Sequence, residues 1–180
     1  MALRNILTEG EPTLNKVSRK VTKFDDRLHI LLDDMAETLL DANGVGLAAP
    51  QVGVLRRAVV IADGDEILEL VNPEIIASDG EQTGMEGCLS VPGKYGIVTR
   101  PETVTVRAQD RDGNWFEVDG EELIARAFCH ELDHLDGHLY TEKVERFLTE
   151  EEIQKMIQEE AAQAAEEENG LSEDSPEAAE

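Results

Sequence analysis

The sequence predicts an α+β fold, with antiparallel sheet and three helices, and three observations carry that expectation. Short β-type runs pair across Asp63-Gly64-Asp65 and across Asp112-Gly113, which makes hairpins rather than an alternating βα series. Leu28, Leu31, Leu32, Met35 and Leu39 fall on one helical stripe. A third stretch, Cys129-His130-Glu131-Leu132-Asp133-His134, continues a stripe begun by Leu123 and Ala127.

At 180 residues and 41% hydrophobic, the chain is long enough for one domain with a sizeable core. A formal net charge of -24 argues against strong attraction of the whole molecule to nucleic acid or an anionic membrane. No basic segment precedes an apolar stretch of signal-peptide type, and no apolar run is long enough for a bilayer, so a cytoplasmic location and no membrane partner are expected. Two cysteines make no disulfide framework; a ligand and a buried thiol suit them better. No internal repeat is visible.

Residues 1–23, interrupted by Pro12, read as an irregular arm. Asp25 is placed to cap a helix over about Asp26–Leu40, and Asp41-Ala42-Asn43-Gly44 to end it. Gly44-Val45-Gly46-Leu47-Ala48-Ala49-Pro50-Gln51-Val52-Gly53 has small side chains that leave backbone approachable and one specific polar group, Gln51. A tight buried turn explains it equally well, and it lacks the strand context and third glycine of a nucleotide loop.

Strands are expected at 58–61 and 67–71, the second ended by Asn72-Pro73, and at 104–107 and 115–118. Between these hairpins, Gly84-Met85-Glu86-Gly87-Cys88-Leu89-Ser90-Val91-Pro92-Gly93 reads as an extended, glycine-flanked loop presenting Cys88. Asp119 with Glu122 suits a capping box for the next helix, which Gly137 ends after Leu135. Thr149 with Glu152 opens a last helix running to Asn169-Gly170. Residues 150–180 hold twelve acidic residues and one lysine, and the final ten read as a disordered acidic tail.

His-Glu-x-x-His carries the chemistry. Residues four apart stand one above the other on a helix, so His130 and His134 can chelate one metal ion while Glu131 handles a proton. Two surface histidines on a charged face are the plain alternative, but imidazoles on a core-facing stripe need partners. A third ligand is wanted; Cys129 projects about 100° away from His130, which leaves Cys88 as the other thiol. His138 lies beyond the helix-ending glycine, and His29 reads as a surface or packing residue.

In this order, Gly44-Val45-Gly46-Leu47-Ala48-Ala49-Pro50-Gln51, Glu86-Gly87-Cys88-Leu89-Ser90 and His130-Glu131-Leu132-Asp133-His134 resemble the three motifs of peptide deformylase. The resemblance covers residues 1–148 as a catalytic domain and leaves 149–180 outside as an acidic helix and tail. It implies antiparallel or mixed sheets around a central motif helix, and removal of the N-formyl group from the initiator methionine of new polypeptides. It implies one divalent metal, Fe(II) first with Zn, Ni or Co as alternatives, on Cys88, His130 and His134 with water completing the set. Glu131 would act as general base and acid; the Gln51 side-chain amide and the Leu89 backbone N–H would face the formyl oxygen. Gly46 would present backbone to substrate, and Val45, Leu123 and Ala127 would line a methionine pocket. The acidic C-terminus disfavours the ribosome contact that a basic C-terminal helix gives some family members, and no direct DNA contact is expected.

Two other readings use the same motif. A zinc protease would need a downstream ligand such as Glu142 or Glu145, and a structural metal module would need four protein ligands.

Overall fold

The computed structural model describes residues 2–171. They fall into two compact units, divided between Arg146 and Phe147. The first unit begins with an arm that turns once at Pro12–Asn15 and leads into α1 (Asp26–Asp41). Strands β1 (Gly46–Ala48), β2 (Ala58–Asp63), β3 (Glu66–Asp79), β4 (Gln82–Cys88), β5 (Val91–Arg100), β6 (Thr103–Gln109) and β7 (Trp115–Glu121) follow, then α2 (Glu122–Leu135). A two-residue strand, β8 (Arg146–Phe147), straddles the boundary, and α3 (Glu150–Leu171) lies in the second unit.

Asp25 caps α1 as expected, its carboxylate accepting from the Leu28 amide at 3.1 Å. The five stripe residues are buried, each contributing roughly 1.5–3 kcal/mol of apolar burial. They pack on one face of a five-stranded sheet in the order β1-β2-β3-β6-β7. Period-two alternation then divides β2: Ala58 and Val60 meet α1, whereas Val59 and Ile61 join the cluster that holds Phe128 and Leu135 of α2. The sheet is therefore covered on both faces, and α2 has its apolar stripe fixed against it.

Four local expectations need correction. The segment 84–93 is not a loop. Residues 82–88 and 91–100 pair antiparallel as β4 and β5, the start of a second sheet of order β4-β5-β8. Asn72-Pro73 does not end its strand; β3 continues to Asp79 through a register irregularity between Val71 and Glu74. Asn72 takes φ 51° there, and its side chain accepts from the Val21 amide (2.8 Å) and donates to the Val21 carbonyl (2.9 Å). Asp119 does not cap α2: it lies in β7 and accepts from the Thr105 hydroxyl at 2.6 Å, and Glu121 occupies the cap position. The arm is also less irregular than expected, since Arg19 makes a parallel bridge to Arg56.

Gly137 ends α2 as expected, at φ 82°, where a Cβ would stand 2.7 Å from the Asn15 carbonyl oxygen. In the second unit, Thr149 accepts from the Glu152 amide at 3.2 Å, and Glu150, Glu151 and Glu152 favour the N-terminus of α3. The helix runs to Leu171, slightly past Asn169-Gly170; residues 172–180 of the expected disordered tail lie outside the described residues. No helix among the described residues is long and apolar enough to cross a membrane.

Candidate metal centre

Cys88 ends β4, and His130 and His134 stand on successive turns of α2. Their ligand atoms all lie within 4.8 Å of one another. Cys88 Sγ is 3.4 Å from His134 Nε2, which is 3.2 Å from His130 Nε2. Bonds of about 2.0–2.3 Å at tetrahedral angles require donors roughly 3.3–3.6 Å apart, so this donor set fits one divalent ion. Both imidazoles are buried, and Cys88 is half-buried.

The residues beneath the donors fix their orientation. Glu86 Oε1 lies 2.6 Å from His130 Nδ1, and an ionised carboxylate only accepts. Nδ1 therefore donates, and Nε2 is the nitrogen left to receive a cation. Arg100 holds both oxygens of Glu86 (2.7 and 3.1 Å), and Arg126 Nη1 donates to Oε2 (2.8 Å) and to the Val98 carbonyl (3.0 Å). Burial alone would raise the Glu86 pKa, but His130 and Arg100 hold it well below the carboxylate range. Asp133 completes the cluster by accepting from Arg100 at 2.7 Å and pairing with Lys143 at 3.0 Å.

Burial also opposes charge on His130, yet Cys88, Glu86 and Glu131 push its pKa up to about 10. His134 moves the other way, well below its usual value, through burial and then the positive neighbours His130 and Arg100. Glu131 is pushed up to about 7, chiefly by burial. Its Oε1 lies 4.0 Å from His130 Nε2, and Oε2 has no hydrogen-bond partner.

These groups open into a cavity of about 450 Å³. Val45, Gly46, Gln51, Cys88, Leu89, Leu123, Ala127, His130 and Glu131 all line it, and His134 lies buried beside it. Gly46 must lack a side chain, because a Cβ would stand 2.7 Å from Glu131 Oε1. Gln51 is anchored by its own carbonyl, which accepts from the Ala48 amide at 2.9 Å. Its amide nitrogen donates to Ser90 Oγ at 3.0 Å and makes a long 3.6 Å contact with Cys88 Sγ. Leu123 is 58% exposed, so it forms an open rim rather than a closed wall.

Glu142 and Glu145 play no part: one pairs with His138 at 3.0 Å, and the other accepts from the Thr99 hydroxyl at 2.6 Å. His29 contacts the Arg111 carbonyl at 2.8 Å, and Cys129 is a buried thiol whose pKa burial raises. The supporting roles of Glu86, Arg100 and Arg126 are not apparent from the motif alone. Two sequence features could have found two of them: Arg126 stands one turn before His130 on the same helix, and Glu86 stands two residues before Cys88; Arg100 carries no such signal.

The family model for polypeptide deformylase matches residues 3–150. The chain belongs to that family. A peptide deformylase of Agathobacter rectalis is 63% identical over 145 residues, covering 81% of this chain and 92% of the relative. The crystal structure of a peptide deformylase from Legionella pneumophila matches at TM-score 0.76 and 42% identity, over 97% of this chain and 99% of that one. One from Thermotoga maritima matches at TM-score 0.78 and 37% identity, over 80% and 99%. Deformylases are metal-dependent hydrolases of protein biosynthesis that remove the formyl group from N-terminal formyl-methionine, and this chain is one of them.

Proposed function

We propose that deformylation here is carried by Glu131 acting beside a divalent cation on Cys88, His130 and His134. The observation that carries this reading is the convergence of three ligand atoms within 4.8 Å at the floor of a cavity that also exposes a buried, half-unpartnered carboxylate. When bound, the cation would supply Lewis acidity and a more acidic water. Glu131 takes a proton from water as its oxygen attacks the formyl carbon. The C–N bond then breaks, formate leaves, and Glu131 returns the proton to the departing amine. One carboxylate serves both transfers.

Negative charge gathers on the formyl oxygen during attack. The Gln51 amide, whose contact with Cys88 is long enough to be surrendered to a better acceptor, and the Leu89 N–H beside it supply preset donors. Gly46 admits the substrate backbone, and Val45, Leu123 and Ala127 offer apolar contact to the methionine side chain. Two imidazoles and a thiol accept Fe(II), Zn, Ni or Co alike; the family resemblance puts Fe(II) first, and the soft sulfur donor would leave that ion open to oxidation in air. The substrates are formyl-methionyl nascent chains in the cytoplasm. Ribosome contact through the C-terminus is disfavoured by its acidity.

Anaerobic turnover of formyl-Met-Ala-Ser with metal analysis tests the reading. Wild type releases formate and does not cut internal peptide bonds, while Cys88→Ser loses metal and activity together. Full activity and metal in Cys88→Ser would overturn the ligand assignment.

A further inference from the structure

The net charge of -24 is not spread evenly. Arg19, Lys20, Lys23, Arg27 and Arg56 line one open groove of about 810 Å³, formed by the arm, the start of α1 and the segment leading into β2. One carboxylate, Asp25, shares the lining, and it is committed to capping α1. Four of the five cations are exposed, and Arg56 is half-buried. Neighbouring Arg4 and Arg57 are paired with Asp34 and Asp136, but the five groove cations make no ion pair among the described residues. In a chain with 40 acidic and 16 basic residues, an unpaired cluster of this kind is not what composition alone produces.

The platform beneath it is fixed. The Arg19 amide donates to the Leu55 carbonyl at 3.0 Å, and the Arg57 amide donates to the Arg19 carbonyl at 2.9 Å. Val21 is held on both sides by Asn72. No aromatic side chain lines the groove, so it offers nothing for unpaired bases to stack on. It offers guanidinium forks and ammonium groups, which match phosphate oxygens. A concave cationic track fits a polyanionic backbone better than a flat bilayer.

We infer that this groove docks the phosphate backbone of structured RNA, holding the enzyme near the RNA-rich particle from which its substrates emerge. The choice of RNA rests on the deformylase reading; the cationic groove does not. The acidic remainder opposes approach at long range, but at about 0.1 M salt the Debye length is about 10 Å, so the groove acts locally while distant carboxylates are screened.

The test uses the metal-loaded full chain and a fluorescent RNA hairpin of about 20 base pairs, read by anisotropy across a salt series near 0.1 M. Lys20→Gln/Lys23→Gln/Arg27→Gln should bind at least about tenfold more weakly, and its salt slope should fall by about one for each cation removed. Its formate release from formyl-Met-Ala-Ser should match wild type, which shows that the fold and the metal centre are intact. Equal RNA binding by wild type and variant, or none by wild type, would overturn the proposal. So would groove-dependent binding to phosphatidylglycerol-containing vesicles without RNA binding. Loss of formate release in wild type would instead strike the deformylase reading.

Discussion

The β4 side of the metal centre and the α2 side each contribute a buried carboxylate near His130, and the two are held in opposite ways. Glu86, from β4, is satisfied by His130, Arg100 and Arg126, and its charge is locked on. Glu131, on α2, has one oxygen without a partner, and burial pushes its pKa toward neutrality. Burial is common to both, so partners make the difference: a fully bonded carboxylate orients a ligand, and one with an unpartnered oxygen is free to exchange a proton. Glu86 should therefore govern metal retention and stability, and Glu131 should govern turnover.

Chelation gives the largest effect, because it removes what both sides serve. Formate release should fall to background and return on adding Fe(II) anaerobically, while circular dichroism stays native because the apolar clusters on both faces of the five-stranded sheet persist. Activity that survives complete metal removal would break the account of both sides. Next comes Gln51→Ala, which removes a donor and disturbs the ligands only through its long 3.6 Å contact with Cys88; kcat should drop about a hundred- to a thousand-fold at unchanged metal content. Steady-state kinetics with metal analysis checks it, and a change confined to KM would count against it.

Glu86→Gln should separate the sides. Metal affinity should fall about 10- to 100-fold through misorientation of His130, and stability should fall by about 3–5 kcal/mol because Arg100 and Arg126 stay buried with less countercharge. Competition with a chelator and denaturant melts read these two quantities, and saturating metal should restore most of kcat. The smallest effect lies far from the site, at Asp34, which accepts from the Ala2 amide at 2.8 Å and from Arg4 at 3.0 Å. Burial pushes its pKa up, but these partners outweigh it and leave the pKa below the usual 3.8. A depressed carboxylate stabilises the fold above that value and ceases to as pH falls through its folded pKa. Asp34→Asn should thus cost about 1 kcal/mol at neutral pH, with the gap closing as the pH drops below 3.8. Thermal melts at both pH values decide, and an equal gap at both would refute the linkage.

Local patterns carried the sequence reading wherever the determinants were local. The α1 stripe and its Asp25 cap, both two-strand turns, and the pairing of His130 with His134 all follow from spacing within one element or one motif, whereas Cys88 entered by elimination and by the resemblance. The second sheet did not, because its glycines imitate a loop. A Cβ at Gly87 would stand 2.7 Å from the Tyr95 ring and one at Gly96 2.6 Å from Val144, so each is small on account of a neighbour on another part of the chain. Asn72-Pro73 misled for the same reason: its turn-like chemistry serves a pin to Val21 inside a continuing strand. Asp119 and Glu122 matched a capping box, but β7 had already claimed Asp119 through Thr105. The support of His130 by Glu86, Arg100 and Arg126 links three elements and is visible once they fold together.

The most direct test of the contrast is Glu131→Gln, with metal content, stability and formate release measured on one anaerobic preparation. The account predicts a full complement of metal, a fold no less stable than wild type, and kcat lower by about a hundred- to ten-thousand-fold. Near-normal turnover in that variant, or loss of its metal together with its activity, would contradict the division of labour between the two carboxylates.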